Sequence, residues 1–181
     1  MRISRSFELL AVAFSLLYTL LYTYGYIIAF VFAGLSALSY LIICYQRKIY
    51  AESLLQVFYV FTAVYGYVHW AETAGVRASS LPYLWHLGVI VSGMALVFIS
   101  GFLLKRLTDA KRPFVDSFTT VFSIFATLLM INLIPENWWY WIVIDAVSVW
   151  LYYQRGLYYT AVLFVIYSLL AINGVIQWEV Y

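Results

Sequence analysis

Charge is what this chain most lacks. Of its 181 residues only 10% are Asp, Glu, Lys or Arg, while 66% are hydrophobic. A water-soluble domain carries about 25% charged residues to cover its surface. Water therefore cannot be the solvent for most of this surface, and lipid must be. Cysteine is as scarce, with Cys44 alone. One thiol excludes an intrachain disulfide and a thiolate metal cluster. The two histidines, His69 and His86, flank one connecting segment. They do not face each other at mid-span and no acidic cluster joins them, so no haem or metal site is expected. Lysine is missing from the last apolar segment, which excludes a retinal Schiff base there. Phosphate-binding glycine loops, catalytic triads and nucleic-acid patches are missing too. No cofactor and no nucleic-acid partner is expected. An intramembrane enzyme would need a paired base, nucleophile or metal set, which the chain does not offer.

What is present is long apolar segments. A spanning helix needs about 20 mainly apolar residues. Seven stretches meet or approach this: 6–24, 25–46, 49–70, 83–104, 113–133, 136–153 and 156–178. Turn or charge signals separate them: Gly25, Arg47-Lys48, the polar stretch from Ala71 to Pro82, the basic stretch from Lys105 to Pro113, Ile134-Pro135-Glu136 and Gln154-Arg155-Gly156. Arg2 and Arg5 before an apolar run faintly resemble a secretory signal, but no small-residue cleavage site leads into a soluble domain, so the run reads as the first helix. The expectation is one transmembrane domain over residues 1–181, all-α, with the lipid bilayer as its surroundings.

The basic residues orient the spans. Arg2, Arg5, Arg47, Lys48, Lys105, Arg106, Lys111, Arg112 and Arg155 fall on one side, and Arg77 alone on the other. Basic loops stay in the cytoplasm. The N-terminus is expected in the cytoplasm and the C-terminus in the periplasm, in a bacterial inner membrane. The stretch from Lys105 to Arg112 needs no lipid-head site to explain it.

The chain also repeats itself. Shifted by about 108 positions, residues 7–70 align on 115–178 without a gap, with about 15 identities in 64 positions where composition alone gives roughly four or five. Phe14-Ser15 falls on Phe122-Ser123, Tyr45-Gln46-Arg47 on Tyr153-Gln154-Arg155, Gly66 on Gly174 and Trp70 on Trp178. Helices one to three thus repeat as five to seven (repeat one 6–70, repeat two 113–178), with a linker helix at 83–104. One extra crossing restores the starting side, so the repeats are parallel. This 3+1+3 plan is seen in the SWEET sugar transporters, where substrate binds near the midplane between repeats.

Ionisable residues inside a span are functional candidates. Glu8 and Asp116 are repeat equivalents near helix ends. Arg5 and Arg112 stand three and four residues before them, a spacing that favours local ion pairs. An interfacial pair and a gate both fit. Glu52 opens a stripe with Gln56, Tyr59, Ala63, Gly66 and Trp70, which keeps one helix face. Close helix packing and a cavity wall both fit that stripe. Asp145 stands out. It lies roughly 14 Å into helix six at 1.5 Å per residue, near the midplane, with no basic residue within two turns. Its repeat equivalent is Ala37, so symmetry does not require it. Trp138, Trp141, Asp145, Ser148 and Tyr152 share a face. Tryptophans beside a carboxylate suit a flat cation, although an aspartate bonded to neighbouring hydroxyls and an interface-belt Trp138 also fit the pattern. Asp116, Thr120, Ser123 and Thr127 make a hydroxyl face on helix five, for a polyol or for neighbouring helices.

Tyr50-Ala51-Glu52 with Gln56, Tyr59, Tyr65-Gly66 and Trp70 resembles helix three of the Pnu-type vitamin transporters. Asp116-Ser117-Phe118-Thr119-Thr120 is similar to their acidic-then-hydroxyl segment. Glu136-Asn137-Trp138-Trp139-Tyr140-Trp141, running to Asp145 and then to Gly156-Leu157 and Thr160, contains their W-x-x-W motif as Trp138 and Trp141. The likeness covers nearly the whole chain, helix four least distinctively. It implies facilitated diffusion of nicotinamide riboside, thiamine or a related vitamin, trapping by a cytoplasmic kinase, a seven-helix SWEET-like core and a possible homotrimer. It also implies a binding site at Trp138 and Trp141. The additional N-terminal segment of some relatives is not expected here. From residue chemistry, the expected site adds Asp145, Glu52, Gln56, Tyr59, Thr120, Ser123, Ser148 and Tyr152. The alternative function is a non-transporting membrane sensor or assembly subunit, in which these polar residues only pack helices.

Overall fold

The computed structural model describes residues 4–23, 26–69, 80–132 and 134–178. Among them are seven α-helices: α1 (Arg5–Thr23), α2 (Ala29–Gln46), α3 (Tyr50–His69), α4 (Tyr83–Leu107), α5 (Pro113–Ile131), α6 (Asn137–Gln154) and α7 (Tyr158–Trp178). The largest boundary difference from the sequence reading is at α2, which starts at Ala29 rather than at residue 25. Tyr26, Ile27 and Ile28 form turns whose carbonyls accept from Ala29, Phe30 and Val31 before the helix proper begins. At α4 the helix runs past residue 104, because Lys105 and Arg106 sit well at its negative C-terminal end. Thr108 then stops it with an extended backbone. Pro113 starts α5, where its missing N–H costs nothing.

Five helices, α1, α2, α4, α5 and α7, are long and apolar enough to cross a membrane. The other two, α3 and α6, have 20 and 18 residues, about 30 and 27 Å of rise. Their composition sets them apart, being rich in Tyr, Trp and polar residues. They are also the helices that carry Glu52, Gln56 and Tyr59, and the whole Trp138–Tyr152 stripe.

The burial pattern is that of a protein with lipid as solvent. Large apolar side chains such as Leu20, Ile42, Phe61, Val91, Phe98 and Leu169 are exposed, whereas Glu8, Ser15, Ser36, Glu52, Asp116, Ser123 and Asp145 are buried. Burying apolar groups gains little when the surroundings are themselves apolar, so small and polar residues take the helix contacts.

The chain divides into two compact units, Met1–Gly75 and Val76–Tyr181. In the first, α2 packs between α1 and α3. Ser15 and Ser36 hydroxyls lie 2.6 Å apart across the α1–α2 contact. In the second, α5 packs on α4 and on α6, and α6 on α7. Phe122 and Phe114 of α5 lie against Gly93 and Gly101 of α4, where a β-carbon would collide with the rings. A small core of Val97, Phe122, Ala126 and Ile144, flanked by Tyr140 and Trp141, ties α4, α5 and α6 together.

Each unit contains the same local devices at positions 108 apart. The α2–α3 connector turns on Lys48 at φ 62° and the α6–α7 connector on Gly156 at φ 69°. Ile49 N–H donates to Cys44 across the first, and Leu157 N–H to Tyr152 across the second. Tyr45 meets Tyr50 edge-on at 5.8 Å, and Tyr153 meets Tyr158 the same way at 5.4 Å. The Phe30 ring lies on Gly66 in one unit and the Trp138 ring on Gly174 in the other. Trp70, the last residue of the repeat, lies outside the described residues.

Candidate substrate site

The α6 stripe is built as the spacing predicts. Asp145, Ser148 and Tyr152 are all buried. The Tyr152 ring stacks on Phe164 of α7 at 5.0 Å, with 13° between planes. Trp138 is half-buried and held by α7, since only a glycine at 174 lets its indole lie on the backbone. Its indole N–H is buried without a hydrogen-bond partner. Trp141, one turn further on, packs against the α4–α5–α6 core. Trp139, between them, is 57% exposed and faces outward. The two tryptophans of the stripe are thus held from opposite sides, and the carboxylate stands one turn beyond.

Asp145 is 3% exposed. Among the described residues it has neither an ion-pair nor a hydrogen-bond partner, and burial alone acts on it. A buried lone carboxylate is among the costliest groups a helix can carry. The reading in which neighbouring hydroxyls satisfy this aspartate finds no such bond among the described residues.

Helix α5 contributes hydroxyls of two kinds. Thr127 donates to the Ser123 carbonyl at 2.7 Å, so its hydroxyl is spent on its own helix. Thr119 likewise donates to the backbone of Val115 and Asp116. Thr120 is buried and its hydroxyl has no partner among the described residues, and the same holds for Ser117. Ser123 is buried. Of the predicted hydroxyl face, Thr120 and Ser123 keep their hydroxyl protons for a ligand, whereas Thr127 can only accept.

In the first unit, Glu52 and Gln56 are buried on α3. The Gln56 side-chain amide donates to Glu52 Oε1 at 3.3 Å, one turn apart. Tyr59 continues the face, half-buried, its ring 5.9 Å from Phe58.

The local pairing expected for Asp116 is corrected. Asp116 is fully buried, and Nη2 of Arg155 donates to both its oxygens, at 2.7 and 3.0 Å. Arg112 instead lies over the Trp150 ring, 4.4 Å from its centre. Spacing along one helix favoured Arg112, but the α6–α7 turn brings Arg155 across with a geometry no local pair matches. Sequence reading also missed the bond between His86 Nδ1 and the Tyr140 hydroxyl, 3.0 Å long. These residues are 54 positions apart, and no local signal joins them. Groups of three or more metal-ligating side chains do not occur among the described residues.

Against known proteins, the family model described as nicotinamide mononucleotide transporter matches residues 5–180. The nicotinamide riboside transporter PnuC of Escherichia coli is 28% identical over 166 residues, which cover 76% of this chain and 70% of that protein. The nicotinamide riboside transporter PnuC of Neisseria mucosa is 28% identical over 165 residues, covering 82% of this chain and 62% of that one. The solved structure described as the crystal structure of the vitamin B3 transporter PnuC superposes with a TM-score of 0.74 at 26% identity, covering 96% of this chain and 80% of that chain.

Proposed function

Because the chain belongs to the nicotinamide mononucleotide transporter family, and is a multi-pass membrane transporter rather than an enzyme, we propose that it carries nicotinamide riboside across the bacterial inner membrane. The observation that carries this reading is Asp145, a lone carboxylate buried on the same face as Trp138 and Trp141. A permanent positive charge on a flat ring suits such a face: the carboxylate offsets the charge and indole faces add cation–π attraction. The same argument favours the riboside over its phosphate. A phosphate brings negative charge, and the buried Arg155 is already engaged by Asp116. The relatives named above are riboside transporters, which supports the choice over thiamine, whose thiazolium would suit the same charge.

In this reading Trp138, Trp141 and Asp145 hold the cationic ring. Thr120, Ser123, Ser148 and Tyr152 of the second unit supply polar contacts to hydroxyls. Glu52, Gln56 and Tyr59 are the polar candidates of the first unit. Transport is facilitated diffusion, with trapping by a cytoplasmic kinase. The fold is read as two parallel three-helix repeats joined by α4, the SWEET-like plan, within one domain. The paired local devices of the two units support that plan. The positive-inside bias supports a cytoplasmic N-terminus and a periplasmic C-terminus. A homotrimer rests on resemblance alone. Purified protein in liposomes should equilibrate labelled nicotinamide riboside without a proton or sodium gradient. Accumulation above the outside concentration, driven by a gradient with no kinase present, contradicts facilitated diffusion. Absence of both binding and uptake returns the chain to the sensor or subunit class.

A further inference from the structure

At the end of the second unit where α4 and α6 begin, a polar cluster stands apart from the Asp145 face. His86 lies in the first turn of α4, and its Nδ1 is 3.0 Å from the Tyr140 hydroxyl on α6. Glu136, at the α6 N-cap, precedes Tyr140 by one turn, so the two share a side of the helix. It lies near enough to act electrostatically on the Tyr140 hydroxyl. The Tyr140 ring cannot swing freely, because it packs beside Trp141 against the Val97–Phe122–Ala126–Ile144 core.

Two atoms of the cluster are buried with no hydrogen-bond partner among the described residues: His86 Nε2 and Glu136 Oε2. Buried polar atoms are nearly always paired, and an exception calls for an explanation. Their chemistry is complementary. When Tyr140 donates its hydroxyl proton to Nδ1, the imidazole carries its own proton on Nε2. The cluster then offers one donor, at His86, and one acceptor, at Glu136. A planar edge with an N–H beside an acceptor atom carries the complementary pair of groups. A primary carboxamide has this edge, and so does an aminopyrimidine.

Glu136 lies nine residues before Asp145, about 13 Å along the helix. Both are therefore not read by the same ring at the same moment. We propose that His86, Tyr140 and Glu136 form a second selectivity station that reads the donor–acceptor edge of the vitamin ring before its charge reaches Asp145. This rests on the transport reading above. His86 and Glu136 contact the ligand, and Tyr140 is a positioning residue that fixes the imidazole tautomer.

The test compares uptake of nicotinamide riboside with nicotinic acid riboside in proteoliposomes. The acid has a carboxylate in place of the amide, so it lacks the N–H and meets Glu136 as a like charge. The protein should prefer the amide. Glu136→Gln and His86→Phe should each lower the amide-to-acid ratio by roughly five- to ten-fold, the worth of about one hydrogen bond to a charged or buried group. Tyr140→Phe, which keeps the ring packing, should lower it less and serves if either other variant fails to fold. Melting temperature monitors folding. Thiamine as a third substrate identifies the edge. Loss of its uptake in Glu136→Gln, with an unchanged riboside ratio, overturns the carboxamide assignment in favour of the aminopyrimidine. An unchanged ratio with unchanged thiamine uptake overturns the station itself. No uptake of either riboside by the unaltered protein overturns the transport reading beneath it.

Discussion

Asp145 concentrates the chemistry of the chain in one side chain. It is buried with no partner among the described residues, on the face of α6 that carries Trp138 and Trp141. If it is the counter-charge of a cationic vitamin, Asp145→Ala should weaken nicotinamide riboside binding by roughly ten-fold or more, since one charge interaction in a buried site is worth above about 1.4 kcal/mol. Calorimetric titration measures it. The folded state should gain stability from the same change, because a buried polar acid is replaced by an apolar group. Affinity that is unaltered in Asp145→Ala would remove the counter-charge role. Asp116 gives the opposite expectation. It is paired with Arg155 at 2.7 Å, so Asp116→Ala removes a carboxylate that the buried guanidinium donates to and should cost about 3–5 kcal/mol of stability. The two aspartates look alike in sequence. One has a partner brought by the fold, and the other has none among the described residues.

Glycines and tight connectors govern the elements. Gly174 lies under the Trp138 ring and Gly66 under Phe30. A β-carbon at either place pushes a ring aside. Gly174→Ala should therefore shift Trp138 and weaken ligand binding, whereas Gly66→Ala should disturb α2–α3 packing. Tryptophan fluorescence with and without ligand separates the two. Gly156 and Lys48 make the complementary case. Both turn through positive φ, and a β-carbon at Gly156 meets nothing within 4 Å. Only backbone strain then opposes a side chain there. Gly156→Ala should cost about 1 kcal/mol and Lys48→Gly should gain up to about that much. A melting series in one detergent checks both signs. Helices α3 and α6 also explain why hydropathy alone would count five spans. Their aromatic and polar residues lower the apolar signal in the two helices that carry most of the site candidates.

For the whole molecule, the repeat and the basic loops make the arrangement testable. Cysteine substitutions at Lys48 and Lys111, both exposed, in a Cys44→Ser background, should resist a membrane-impermeant thiol reagent applied from outside. One at Pro82 should react. Labelling of the first group from outside would reverse the orientation. The equilibrating uptake proposed above belongs to this scale too. On the proposed plan of one domain built from two repeats, both are needed to move substrate, so repeat one alone should not transport.

Membrane class, helix number, connector positions and the 108-residue repeat were all legible in the sequence. Each depends on local composition or on comparison of the chain with itself. The Trp138–Trp141–Asp145 face was legible because residues three and four apart share a helix face whatever surrounds it. Partners were not. Asp116 was expected to pair with Arg112, four residues away, and it pairs with Arg155 instead. His86 read as an isolated loop-end histidine and is bonded to Tyr140 across α4 and α6. Thr127 was read as part of a hydroxyl face for a polyol or for neighbouring helices, and it donates to the backbone of its own helix. Periodicity states which side chains face the same way. Only tertiary structure decides what they meet, because charge pairs and hydrogen bonds act over a few ångströms in space and take no account of distance along the chain.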